Sequence, residues 1–99
     1  MHSHEHFELR RLHDDLVYYF DRQSRPDEGI GYKRRDQNLW IVFLPEYGWV
    51  AMDEETGAIT GRPWISLVKD QTEDHPPEGE WVSKKGIKSY VYELKYTEE

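Results

Sequence analysis

Apolar residues occupy both alternating sets of positions in WIVFL, residues 40–44. Consecutive side chains of a strand point to opposite faces of the sheet, so a strand buried on one face needs only one apolar set. Here Trp40, Val42 and Leu44 form one set, and Ile41 and Phe43 form the other. The pattern predicts a central strand whose two faces both need cover.

The first part of the chain has a different spacing, with apolar residues three and four positions apart. This spacing predicts an amphipathic helix over residues 4–23, with Ser3 as its N-cap. Pro26 ends it, because a proline disfavours helical geometry at the preceding residue. The apolar face would contain Leu9, Leu12, Leu16, Tyr19, Phe20 and Gln23. The solvent face would carry pairs four residues apart: Arg10 with Asp14, Arg11 with Asp15, and Asp21 with Arg25.

Beyond residue 29 the pattern changes to alternation between turn signals, which is typical of strands. The predicted strands are 30–35, 39–44, 48–53, 58–68 and 86–96, with Trp81 and Val82 as a short extra piece. Short turns favour an antiparallel meander, and residues 70–80 form an acidic loop. The expected fold is one α+β domain over residues 1–99, with an N-terminal helix packed on a twisted, mostly antiparallel sheet of four to six strands or a partial barrel.

One helix cannot cover both faces of the central strand. The sheet can curl on itself, the loop at 69–81 can fold over it with Trp81, or another protein can dock there. Trp and Tyr are enriched in interface anchors because they join a large apolar area to a polar tip. The candidate aromatic contacts for a partner are Trp49, Trp64, Tyr90, Tyr92 and Tyr96.

Charge adds a second candidate contact. The 99 residues carry a net charge of −7, and residues 46–99 hold twelve acids against six bases. Such a balance disfavours phosphate backbones and favours a partner with a basic surface. Asp70, Glu73 and Asp74 in the acidic loop are the predicted contacts.

Cysteine is absent, which excludes disulfides, thiolate metal sites and a cysteine nucleophile. Neither a signal peptide nor a long apolar span is evident, so we expect a soluble cytoplasmic protein with no membrane association.

Histidines are the main candidates for chemistry. In a helix His2 and His6 would lie one turn apart and, with His4 and Glu5 nearby, resemble a zinc spacing. A fraying chain end favours a solvated terminus instead. His13 has only its neighbour Asp14, which points about 100° away on a helix and cannot orient it. We therefore predict no catalytic residue, no metal and no cofactor.

A basic set suggests the alternative function. If the strands at 30–35 and 86–96 pair at a sheet edge, cations would converge beside aromatic rings, as in proteins that bind single-stranded nucleic acid. Lysines at edge strands also protect against aggregation, which is the commoner role. The residues are Lys33, Arg34, Arg35, Lys84, Lys85 and Lys88.

The sequence as a whole favours a non-enzymatic protein-interaction module, a regulator or inhibitor that uses its aromatic sheet face and its acidic loop. The partner is an unidentified protein with a basic surface or a second copy of the chain in a homodimer. Nucleic acid is the less favoured partner.

Overall fold

Eight antiparallel strands close into a barrel in the computed structural model, which describes residues 4–25, 29–64, 67–85 and 87–97. Each strand pairs with the next along the chain, and the last pairs with the first. The strands are β1 (His6–Arg11), β2 (Val17–Arg25), β3 (Gly29–Arg34), β4 (Leu39–Leu44), β5 (Gly48–Asp53), β6 (Ile59–Pro63), β7 (Gly79–Lys85) and β8 (Lys88–Tyr96). A short 3₁₀ turn, Val68–Asp70, lies between β6 and β7.

The predicted N-terminal helix is wrong, and with it the α+β class. Residues 4–23 contribute β1 and most of β2, paired as a hairpin, and the described residues contain no α-helix. The turn between them includes Asp15 with a φ of 59°, and the Arg11 amide donates to the Leu16 carbonyl at 2.7 Å. The predicted N-cap, Ser3, lies outside the described residues.

The helical spacing was misleading because two of its members belong to the hairpin turn. Leu12 and Leu16 are 49% and 42% exposed, so neither contributes to the core. The inward positions alternate instead, with Phe7 and Leu9 on β1 buried in the interior and Phe20 on β2 beside them. Aromatic and β-branched residues such as those of VYYF, residues 17–20, favour strands.

The charge pairs predicted for a helix do not form in the described part of the chain, and some of the same residues have other partners in the barrel. Arg11 binds Asp14 across the hairpin turn. Asp21 accepts hydrogen bonds from Arg35, the first residue of the turn after β3, at 2.9 Å to each carboxylate oxygen.

The later strands agree only in part with the prediction, which gave four to six strands where the structure has eight. The strand predicted at 58–68 ends at Pro63, because proline removes a backbone donor from the ladder, and β7 begins at Gly79, inside the predicted acidic loop. β4 and β5 have the predicted bounds, and Trp81 and Val82 belong to β7 rather than to a short extra piece.

The barrel interior is filled mainly by aromatic rings. Phe7 contacts Phe20 and Tyr32 with ring centroids 5.0 and 4.9 Å apart, and Tyr32 contacts Trp49 at 5.9 Å. An eight-stranded barrel has an interior just wide enough for side chains to fill. The buried members of this core are Phe7, Leu9, Phe20, Tyr32, Ile41, Trp49, Ala51, Trp81, Tyr92 and Leu94.

The second apolar face of the central strand is covered by the chain itself. Trp40 and Val42 of β4 pack outside the barrel against Val50 of β5, and Val42 is only 1% exposed. The Arg25 guanidinium lies over the Trp40 ring at 5.5 Å. Gly31 permits this contact, because a Cβ there would lie 2.9 Å from Cδ of Arg25.

The acidic loop is anchored across one end of the barrel, which we call the closed end. The Trp49 and Trp81 indoles donate to the Thr72 and Pro77 carbonyls at 2.6 and 3.0 Å. The Tyr96 hydroxyl donates to the carbonyl of Pro76, whose side chain is fully buried. At the opposite, open end lie the hairpin turns at 12–16, 35–38 and 54–58.

Gly48 tests how far the loop contacts stabilise the barrel. It has a φ of 75°, and a Cβ there would lie 2.6 Å from Oε1 of Gln71, which accepts from the Trp49 amide. Gly48→Ala should cost about 2–3 kcal/mol, from left-handed backbone strain plus a lost hydrogen bond. Urea unfolding measures this loss.

Gly57→Ala is the matched control. Gly57 has a φ of 71°, but nothing lies within 4 Å of the place that a Cβ would take there. This variant should lose only the strain component, about 1 kcal/mol. Equal losses in the two variants would show that the Gln71 contact does not stabilise the fold.

Candidate ligand cavity at the open end

A cavity of about 320 Å³ lies inside the barrel, near its open end. The wall beside the cavity has small side chains and interrupted strand pairing. The β6–β7 ladder ends at Gly61 and Ser83, and the β5–β6 register shifts between Ala51 and Met52. Because Gly61 has no side chain and Ala51 only a methyl group, the interior is left unfilled at this level.

The cavity wall has an aromatic part and a polar part. The aromatic part includes Phe20 and Trp81, which also belong to the core. The polar part includes Asp53, Ser83 and Lys84. The full lining consists of Leu9, Tyr18, Phe20, Arg34, Gln37, Leu39, Ala51, Asp53, Thr60, Gly61, Trp81, Val82, Ser83, Lys84 and Tyr92.

Arg34 is the buried charged residue of this wall. Its side chain is 9% exposed and its guanidinium lies 3.7 Å from the centroid of the Tyr18 ring. Both oxygens of Asp36 accept from it, with Nη2 to Oδ2 at 3.0 Å. This pairing lowers the pKa of Asp36, whose side chain is 63% exposed. The guanidinium is thus held in place by a carboxylate on the solvent side.

Arg11 forms a second arrangement of the same kind at the open end. Asp14 binds its Nε and Nη2 at 2.8 and 2.6 Å, and the guanidinium lies 5.0 Å from the centroid of Tyr90. The hydrogen bond to Arg11 holds the pKa of Asp14 at about 2, below its ordinary 3.8. Burial raises the pKa of Tyr92, against a hydrogen bond with Arg11, so this phenol stays neutral beside the cavity.

The predicted partner contacts are distributed over different parts of the barrel. Trp49 and Tyr92 are buried in the interior, and Tyr90 and Tyr96 pack half-buried against the same core. Trp64 is 60% exposed. The acids Asp70, Glu73 and Asp74 are exposed on the loop at the closed end. The partner-binding hypothesis stays a prediction, and Trp64 and these acids are its accessible members.

The predicted basic set is also divided. β3 and β8 do not pair, because β1 and β2 lie between them in the barrel. Arg34 and Lys84 line the cavity, while Arg35 binds Asp21. The remaining members are Lys33 on β3 and Lys88 on β8, with the side chain of Lys85 outside the described part of the chain.

The histidines lie at opposite ends. His2 is outside the described residues, and the His6 imidazole Nδ1 lies 2.7 Å from Oδ1 of Asp21. His4 stacks on His75 of the loop at the closed end. His13 is exposed in the β1–β2 turn.

The sequence predictions missed the cavity, although the sequence contains a signal for it. Arg11 follows Phe7 and Leu9 at the inward parity of β1, and Arg34 follows Tyr32 at the inward parity of β3. A charged residue at an inward-facing strand position indicates a polar site in the barrel, because a buried charge needs a partner. Without the hairpin and barrel pairing, the inward parity of β1 was not apparent.

Comparisons with protein-family models, curated proteins and solved structures found no match to this chain. Over the described residues, no helix is long and apolar enough to cross a membrane.

The Arg11–Asp14 pair predicts a specific acid sensitivity. The pKa of Asp14 is about 2 in the folded chain and about 3.8 as the ordinary value, so between these pH values the folded state binds fewer protons. Its contribution to stability is present above pH 3.8 and is lost as the pH falls toward 2. Asp14→Asn should be less stable at neutral pH and should lose less stability between pH 4 and 2, as measured by urea midpoints.

Asp15→Asn is the control for the same turn. Asn tolerates the positive φ of residue 15, and Asp15 has no role in the Arg11 pair. Its acid dependence should match that of the unmodified chain. An unchanged acid dependence in Asp14→Asn would contradict the assigned role of the pair.

Proposed function

We propose that this protein is a non-enzymatic binding protein that takes a small, flat, largely apolar molecule into the open-end cavity. The molecule would carry an acceptor group, such as a carboxylate, for Arg34. The observation that carries the proposal is a cavity of about 320 Å³ with aromatic walls and one buried guanidinium.

The size and lining of the cavity support this class of ligand. Small-molecule sites are concave, mostly apolar and about 300–1,000 Å³, with a few polar groups that fix orientation. At about 320 Å³ this cavity suits a compact molecule at the lower end of that range. Phe20, Trp81 and Tyr18 present rings for a flat body, since aromatic pairs stack or meet edge to face.

The polar end of the ligand is suggested by Arg34. A guanidinium presents donors in a planar fork that matches a carboxylate, and it has no acceptor. Asp36 occupies that fork from the solvent side, and its own exposure of 63% allows it to be displaced toward water. An acceptor group on the ligand would then replace or share the contact with Arg34.

Binding without catalysis is part of the proposal. Two bidentate pairs at the open end, Arg34 with Asp36 and Arg11 with Asp14, hold their carboxylates ionised. An ionised carboxylate held by a guanidinium is a weak base for proton transfer. These pairs suit fixed recognition better than acid–base chemistry.

The first experiment fills the cavity. N-phenyl-1-naphthylamine, a neutral flat probe, should bind and increase in fluorescence. Ala51→Leu should weaken binding at least about fivefold, equivalent to about 1 kcal/mol, because the added side chain occupies the cavity. Fluorescence titration measures the dissociation constant.

Ala58→Leu is the control, since Ala58 is exposed in the β5–β6 turn. It should bind as the unmodified chain does, and near-ultraviolet circular dichroism should show native packing in both variants. Equal affinity in Ala51→Leu would place the probe elsewhere and contradict the cavity as the site.

The second experiment tests recognition by Arg34. The probe 1-anilinonaphthalene-8-sulfonate has the same ring system plus an anionic group. Arg34→Met should weaken this anionic probe about tenfold, because a charge-assisted hydrogen bond is lost, and should change the neutral probe less than about twofold. The exposed Arg62→Met should change neither.

The double variant Arg34→Met/Asp36→Asn separates loss of a donor from repulsion by an unpaired Asp36. The anionic probe should remain weakened in the double variant. Recovery of its affinity would show that Arg34 acts only by neutralising Asp36, and parallel losses of both probes would contradict a role in recognising the acceptor group.

A further inference from the structure

Three side chains with metal-binding atoms meet at the closed end of the barrel. His4 and His75 stack with ring centroids 3.8 Å apart and planes 3° from parallel. Nδ1 of His75 lies 3.2 Å from Oδ2 of Asp74. One ligand atom from each of these three residues lies within 4.8 Å of the other two.

The backbone on both sides of this cluster is held by two tyrosines that pack in the core, Tyr32 and Tyr96. The Tyr32 hydroxyl donates to the carbonyl of His4, and the Tyr96 hydroxyl donates to the carbonyl of Pro76, next to His75. The Tyr96 ring also contacts both imidazoles, at 4.6 Å from His4 and 5.9 Å from His75. The two histidines are therefore brought together by the fold and not by a shared local segment.

Charges around the cluster favour a cation. Asp74 belongs to the cluster, and two exposed carboxylates are close in sequence, with Glu5 next to His4 and Glu78 three residues after His75. Arg22, whose amide donates to the Glu5 carbonyl, is a cation on the same side.

We propose that His4, Asp74 and His75 form a site for a divalent transition-metal ion, with zinc as the best match. Zinc binds imidazole nitrogen and carboxylate oxygen in tetrahedral sites, and three protein ligands leave the fourth position for water. With bonds of about 2.0–2.1 Å, tetrahedral geometry separates donor atoms by about 3.3 Å. The present separations, all within 4.8 Å, need a contraction of at most about 1.5 Å.

Binding requires one imidazole to leave the stack. The lone pairs of two parallel rings lie in parallel planes and do not converge on one point. A turn of one ring about its Cβ–Cγ bond directs its nitrogen toward the ion, and the partial exposure of both histidines leaves room for that turn. The ion would join the chain segment before β1 to the loop between β6 and β7.

This site is independent of the proposed ligand cavity, which lies at the other end of the barrel. The test uses the full chain without an affinity tag and zinc chloride as the probe, followed by calorimetry. We expect one zinc ion per chain. His4→Ala and His75→Ala should each raise the dissociation constant at least about tenfold, whereas His13→Ala, on the exposed β1–β2 turn, should leave it unchanged.

A second comparison distinguishes this site from binding by the terminal MHSHEH segment alone. In the proposed site His75→Ala and Asp74→Asn weaken zinc binding, and His2→Ala does not. Binding that survives both loop substitutions but is lost in His2→Ala would overturn the proposal, as would the absence of binding by the unmodified chain at millimolar zinc. Circular dichroism checks folding, and Asp74→Asn, at an exposed position, keeps the test available if His75→Ala does not fold.

Discussion

Closing eight short strands around a narrow interior requires large side chains to fill it, and here most of them are aromatic. Indole and phenol groups bring polar atoms into the barrel, and each buried donor needs an acceptor because an unmet one costs about 1–3 kcal/mol. At the closed end the loop supplies backbone carbonyls to Trp49, Trp81 and Tyr96. The loop that the sequence marks as acidic and proline-rich is thereby a structural part of the barrel.

Polar groups inside the barrel find their partners differently at the two ends, and each end contains one of the two proposed sites. At the closed end, the loop covers the rings and its anchoring brings His75 to His4. At the open end no such loop intervenes among the described residues. There the inward positions carry Arg11 and Arg34, whose partners come from the adjoining turns, and the space beside Arg34 is left unfilled.

The strands with strong β-formers and clear turns were predictable from sequence, whereas the first hairpin was not. For β4 and β5, the apolar runs are followed by the turn sequences PEYG (residues 45–48) and DEETG (residues 53–57), which mark where each strand ends. In β1 and β2, Leu9, Leu12 and Leu16 satisfy a helical spacing, and only the pairing of Phe7 with Phe20 shows that alternation is correct. Barrel closure depends on β1 meeting β8, a contact between residues far apart in sequence. The cavity and the His4–His75 contact both follow from closure, so local patterns did not reveal them.

The guanidinium in the barrel wall is the group on which the proposed binding function depends. Burying a charge costs desolvation that pairing only partly offsets, and replacing a buried ion pair with apolar groups of similar volume is often neutral or stabilising. Arg34 is 8% exposed, at an inward position that Leu or Met would fill, and it lies beside a cavity that such residues would reduce. We propose that this donor, which is directed by Asp36 and supported by the Tyr18 ring, serves to recognise an acceptor group. On this proposal, the side chains of the open end serve binding as well as packing.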